Sequence, residues 1–250
     1  MNKTPKTFEE CYFLTSRSNI SVKKIEYDIS ENRENISKYQ ENIFCPECQH
    51  ARLSFVSKTS KRKAHLRAIN KYEHQNCSYF YEYATREQII KYLNELTDEQ
   101  IKDKMNAIMN MLCKRDMVSS LDKPQEISND TNPMLIKSAD NNSNYLYKAI
   151  RRKSLQGWLE VDSDQLYIFY GKVKLNTKKI MGKNGEFYVM NICVENRHGS
   201  WNKKVSISSN EDFSNIDESK IYRMVVIGKL DTQYMKINLY RKNSFKYEMI

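Results

Sequence analysis

Residues 44–77 read FCPECQHARLSFVSKTSKRKAHLRAINKYEHQNC, and the two ends of this stretch share one spacing. Phe44-Cys45-Pro46-Glu47-Cys48 is a Cys-Pro-x-Cys knuckle. Two residues between the cysteines let both sulfurs face one ion from a tight turn, and Pro46 stiffens that turn. His74-Gln75-Asn76-Cys77 repeats the gap, with an imidazole in place of the first thiol. The 25 residues between the pairs can loop out and return. Cys45, Cys48, His74 and Cys77 then form an S₃N tetrahedral set, which suits Zn2+. His50 and His65 compete for the nitrogen position. His50 lies just past the knuckle, and His65 sits in Lys63-Ala64-His65-Leu66-Arg67 as a ligand or as a packed neighbour of one. With all four positions filled by side chains, no place is left for an activated water. The expected role of the ion is structural, substituting for a core too small to fold alone.

Between the pairs runs a cationic, hydroxyl-rich loop: Lys58, Lys61, Arg62 and Lys63, with Arg67 just beyond. Such a loop on a small zinc module can hold phosphates, or it can simply keep the module soluble.

Outward from this stretch, residues 1–43 are polar and read as an N-terminal arm, with Ser21 to Ile29 as a short strand or hairpin arm. Thr85 is a fair N-cap before the apolar stripe Ile89, Ile90, Leu93. A second helix is predicted from Thr97-Asp98, with Ile101, Met105, Ile108, Met109 and Leu112 at helical spacing. Residues 44–118 are therefore a zinc-binding module plus helices. Residues 119–144, rich in Pro, Ser, Asp and Asn, read as a linker. A short helix is expected around Tyr145 to Lys153.

From Leu155 the chain becomes β in character. Tyr167–Leu175, Glu186–Glu195, Trp201–Ser208, Ile221–Leu230 and Tyr234–Arg241 read as five strands, with the GKNG turn at 182–185 and room for a short helix in 209–219. Three strands, a connector and two strands is the order of an OB-type barrel, assigned to 145–250. The fold class is α+β: a zinc module, a helical segment and a C-terminal antiparallel barrel. Alternation puts Tyr170, Lys172 and Lys174 on one face, and Tyr234, Lys236 and Tyr240 on one face. Phe187 and Asn191 fall on the mixed face of the second strand. Rings interleaved with Lys suit single-strand binding, in which bases stack and ammonium groups follow the backbone. High β-propensity of Tyr explains the same pattern without function.

The whole chain has 250 residues and a formal charge of +10. Residues 151–250 alone carry 18 Lys+Arg against 11 Asp+Glu. That surplus favours a polyanion, with nucleic acid the natural partner. No apolar stretch approaches the ~20 residues of a membrane span, and MNKTPKTFEECYF has no signal-like hydrophobic run. A cytoplasmic chain is expected, in which cysteines serve as metal ligands or buried thiols.

FCPECQHARLSFV (44–56), KAHLRA (63–68) and HQNCSY (74–79) resemble the N-terminal zinc-finger region of competence CoiA-like proteins and related phage- and mobile-element-associated proteins. The resemblance covers about residues 41–83. It implies a DNA-related role in competence, a mobile element or phage defence.

A search for catalysis finds little. There is no Gly-rich phosphate loop and no Gly-x-Ser-x-Gly elbow. Asp162 with Asp164, and Glu26 with Asp28, lack the partners a metal-dependent nuclease needs. The expectation is a non-catalytic protein that binds single-stranded DNA or RNA. The alternative is an adaptor that docks a larger effector through its zinc and helical region, with the pair from Ile89 to Leu112 as the contact surface.

Overall fold

The computed structural model describes residues 6, 8–30, 35–74, 76–114, 128–139, 145–157, 159–182, 185–196, 198–210, 213 and 215–250. Most of the expected linker, and the middle of the GKNG turn, lie outside them. The chain divides into two compact units, Met1–Tyr83 with Arg115–Ala149, and Ala84–Lys114 with Ile150–Ile250.

The first unit is built on three small sheets. β1 (Glu10–Phe13) lies between β2 (Ser18–Ser21) and β3 (Ile43–Phe44), antiparallel to both. β4 (Leu53–Val56) and β5 (His65–Ala68) form a hairpin, as do β6 (Leu135–Ala139) and β7 (Tyr145–Ala149). The stretch read as a strand or hairpin arm is instead a helix, α1 (Val22–Ser30). Val22, Ile25 and Ile29 recur at helical spacing, and burial of Val22 and Ile25 overrides the weak helix propensity of β-branched residues. Asp28, buried on the same helix, accepts hydrogen bonds from the Tyr39 hydroxyl at 2.6 Å and Lys24 Nζ at 2.7 Å.

Described residues of the stretch read as an N-terminal arm join the core of the first unit. Phe8, Cys11, Phe13, Tyr39 and Ile43 pack in one core with Cys45, Leu53, Leu66 and Cys77. Leu135–Ala139, assigned to the linker, pairs in register with Tyr145–Ala149. The expected helix over 145–153 is therefore replaced by β7 and the next strand, because a partner strand takes up the backbone groups that a helix would satisfy internally.

The second unit begins with α2 (Arg86–Asn94) and α3 (Asp98–Cys113). Thr85 and Thr97 cap them, and each closes a capping box, with Gln88 and Gln100 respectively. β8 (Arg151–Ser154) runs parallel beside β9 (Tyr167–Gly182). β9, β10 (Gly185–Glu195) and β11 (Trp201–Ser209) form an antiparallel meander. β12 (Tyr222–Asp231) pairs with β9 and with β13 (Lys236–Leu239), and β13 meets β11 in parallel at Ser206–Lys236. These pairings close a five-stranded barrel in the order β9-β10-β11-β13-β12. β14 (Phe245–Met249), which the sequence reading did not foresee, flanks β12.

The barrel interior takes alternate residues: Phe169, Val173 and Leu175 from β9, Met190 and Ile192 from β10, Val205 and Ile207 from β11. Phe213 and Ile216 add to it from the β11–β12 connection, whose described residues form turns where a short helix was expected. On the outside, Ile168 and Tyr170 of β9 stand opposite Ile227 and Val225 of β12. They are buried as well, because α3 packs across β9, β12 and β14. No described helix is long and apolar enough to cross a membrane.

Candidate metal centre and cationic surfaces

Cys45, Cys48, His74 and Cys77 converge, and their ligand atoms all lie within 4.8 Å of one another. Cys45 Sγ is 3.7 Å from Cys77 Sγ, and Cys48 Sγ is 3.7 Å from His74 Nδ1. A tetrahedral ion with metal–sulfur bonds of ~2.3 Å requires edges of about 3.8 Å, so the cluster has the size of one coordination sphere. Burial pushes the Cys45 and Cys77 thiols well above the usual range, while hydrogen bonds from Cys45 and Cys77 pull Cys48 down. Three crowded sulfurs in a buried place are poorly matched to water and protons alone. A divalent cation reverses that balance by favouring thiolate.

The knuckle is shaped by the backbone. The Glu47 N–H points at Cys45 Sγ at 3.4 Å, Gln49 N–H donates to Cys45 C=O at 2.9 Å, and Cys45 N–H donates to Ala51 C=O at 2.8 Å. The second pair is presented by a 3-10 turn over 71–73, which Asn70 caps through the Tyr72 N–H at 3.0 Å. The His74 ring stacks on Phe8 at 5.6 Å between centroids, and its Nε2 is buried with no hydrogen-bond partner among the described residues. Stacking on Phe8, with a tilted ring contact to Tyr79 at 6.0 Å, takes the orienting role that a carboxylate or carbonyl usually plays for a metal-bound histidine.

Glu47, between the two knuckle cysteines, is the residue that sequence reasoning missed. It is buried, and its Oε1 accepts from the Ser78 N–H at 2.6 Å and Asn132 Nδ2 at 2.7 Å, its Oε2 from the Ser78 hydroxyl at 2.5 Å. Asn132 also donates to Asn76 C=O at 2.9 Å. One carboxyl group therefore ties the Cys45–Cys48 pair, the His74–Cys77 pair and the 128–139 segment together. An acid between two cysteines looks like ordinary surface in a sequence, and nothing local points to Asn132.

The structure decides among the histidines. His65 lies on β5, outside the cluster, with Nδ1 3.0 Å from Lys63 C=O, and His50 is exposed. The basic loop is the tip of the β4–β5 hairpin. Thr59 Oγ1 accepts from the Lys61 and Arg62 N–H groups at 3.3 and 3.1 Å, which fixes the turn. Lys58, Lys61, Arg62, Lys63 and Arg67 are all exposed. Lys58 is 3.5 Å from Glu26, and Arg67 Nε donates to Ser54 Oγ at 3.3 Å.

On the barrel the expected residues separate. Tyr170 is only 4% exposed, beneath α3, and is not available to a ligand. Tyr170 lies on the outer face, as alternation predicts, but α3 packs over β9 there. Tyr240 is half-buried, with its hydroxyl hydrogen-bonded to Asn94 and Ile90 C=O on α2, so it serves the helix–barrel contact. Lys172 is exposed, Lys174 and Lys236 are partly exposed, and Tyr234 is 68% exposed in the β12–β13 turn.

Register brings further residues alongside these. Cys193 stands between Lys174 and Lys203, Val189 between Lys178 and Ser208, and Asn191 between Asn176 and Ser206, with Lys236 next in that row. Lys174 Nζ lies 5.6 Å from the Trp201 ring centroid. Lys178, Lys203 and Trp201 were missed because only strand pairing shows which residues share a row. Glu195 beside Trp201, and Glu218, which holds Asn176 at 2.6 Å, border the face. No protein-family model, curated protein or solved structure matches this chain.

Proposed function

We propose that this protein binds single-stranded DNA or RNA without catalysing a reaction, through an OB-like barrel and a zinc-stabilised module. The observation that supports the reading is the outer face of β9–β11 and β13, where Lys174, Lys178, Lys203 and Lys236 share one side and Lys174 Nζ lies 5.6 Å from the Trp201 ring centroid. The barrel's order, first-second-third-fifth-fourth with the third and fifth strands parallel, supports an OB-like reading. In that arrangement the second and third strands and the first–second and fourth–fifth loops hold oligonucleotides. Here those are β10, β11, the β9–β10 hairpin and the turn carrying Tyr234. Bases stack on exposed rings at ~1–3 kcal/mol each, and lysines track the phosphates.

The Cys45–Cys48–His74–Cys77 set takes Zn2+, since three thiolates and an imidazole in tetrahedral spacing suit it best among cellular divalent ions. Filled by four side chains, the site is structural. Its hairpin adds a second anion-binding surface: residues 52–72, Arg52 included, hold seven Lys or Arg and no Asp or Glu. The resemblance of residues 41–83 to CoiA-like regions favours DNA.

Fluorescence anisotropy with labelled oligothymidylate and oligouridylate at two salt concentrations tests the reading. Binding should weaken steeply with salt and vary little with sequence. Lys174→Ala with Lys203→Ala should weaken it about tenfold and reduce the salt slope by about 1.4. No binding to either strand at low salt would reject the proposal.

A second reading, an adaptor for a larger effector, has one observation in its favour. Tyr72 (66% exposed) and Phe80 (46%) lie 6.5 Å apart, an exposed aromatic pair on the first unit of the kind found at protein contacts. The helical surface expected for it does not serve, because Ile89, Leu93, Ile101, Met105, Ile108 and Met109 are buried. Tyr72→Glu with Phe80→Glu should abolish capture of a partner from the host extract while leaving oligonucleotide affinity intact. Loss of oligonucleotide binding instead would assign the patch to nucleic acid.

A further inference from the structure

β11 and β13 form one ladder pair, Ser206–Lys236, and past it no pairing joins their described residues. A cleft of about 420 Å3 opens there, between the end of β11 and the stretch Lys236 to Lys242. Its lining includes Lys236, Arg241 and Lys242 together with Ser208, Asn210 and Asn238, and among the described residues no acid lines it. Asp98 approaches Arg241 from outside, at 3.7 Å with an exposed side chain, and Arg241 Nη1 also donates to Leu96 C=O at 3.1 Å. Those contacts fix the guanidinium in place. The exposed Asp98 offsets its charge only weakly.

Three cations around hydroxyl and amide groups select an anion over a peptide strand. Lys236 belongs both to the cleft and to the row that crosses β9–β11, so the cleft continues the cationic face. We infer that it holds phosphate groups of the strand lying on β9–β11. This inference rests on the nucleic-acid reading and extends it. The cleft sets where the strand's backbone passes and adds phosphate contacts that carry no base preference.

The test uses the full zinc-loaded chain and a fluorescein-labelled oligothymidylate of about 15 nucleotides, within the range one OB fold occupies. Arg241→Ala with Lys242→Ala should lower affinity about tenfold and reduce the slope of log affinity against log salt by about 1.4, since each phosphate contact on a single strand contributes ~0.7. Because Arg241 also braces α2, exposed Lys242→Glu serves as a second variant and should weaken binding without lowering the melting temperature. Unchanged affinity and slope in both, with the Lys174/Lys203 pair weakened, would overturn the cleft inference and leave the barrel-face reading standing. No binding by the wild-type chain would overturn both.

Discussion

Cys45 and Cys77 are core residues as well as candidate metal ligands, since both sit in the same cluster as Phe8, Leu53 and Leu66. The candidate metal cluster and the core therefore share side chains, and Glu47 braces both cysteine pairs. Glu47→Ala leaves the Ser78 N–H, the Ser78 hydroxyl and the Asn132 amide without their acceptor in a buried place. Unsatisfied groups of this kind cost ~1–3 kcal/mol each before relaxation. The expected result is a loss of about 2–4 kcal/mol in stability and a 10- to 100-fold drop in zinc affinity, as for other groups that brace metal ligands. Competition with a chromophoric chelator and thermal unfolding measure the two. Unchanged values would mean that the carboxyl group is a bystander. The ligand set itself was readable because a two-residue gap has few ways to fold. Glu47 was not readable, because its partner Asn132 is remote in the chain and only folding brings them together.

At the scale of elements, α3 carries the most instructive side chain. Lys104 is buried, with Nζ 3.3 Å from the Tyr92 hydroxyl and 4.8 Å from that ring's centroid. Burial lowers its pKa to about 8. Unfolded, the group titrates near ~10.4. Between those values the unfolded chain binds more protons, so this group's penalty is full below pH ~8 and is relieved as pH rises towards ~10. Lys104→Met should stabilise the second unit at neutral pH by roughly 1–3 kcal/mol and remove that rising component of its stability. Urea midpoints of wild type and variant at pH 7 and pH 9.5 report it as a difference, which cancels other titrating groups. A variant less stable at pH 7 would show that the ammonium group is worth more than its burial costs. The helices themselves were legible, because Thr85 and Thr97 with Gln88 and Gln100 are local signals. The element misreadings, Val22–Ser30 and Tyr145–Ala149, fell on short segments whose state depends on remote partners.

For the molecule as a whole, the first unit is discontinuous in sequence, and this has a consequence for cutting it. A chain ended at residue 114 keeps all four metal ligands but lacks Asn132, the β6–β7 hairpin and the Ala149 N–H bond to Glu82 C=O at 2.7 Å. It should bind zinc at least tenfold more weakly than the full chain and lose metal to a chelator faster. Removal of zinc from the full chain should melt the first unit while the β signal of the second persists, because each unit has its own core. A single joint transition would contradict this. By itself, the sequence determined the features that rest on short-range geometry: the paired Cys/His gaps, the two helix caps, and the period-two strands with their apolar faces. Tertiary structure alone decided that His74 and not His65 joins the sulfurs, that Tyr170 lies beneath α3, and that Lys174, Lys178, Lys203 and Lys236 share one surface. Spacing along a chain fixes what neighbouring residues can reach. Register and burial depend on partners far away in sequence, whose contacts exist only after folding.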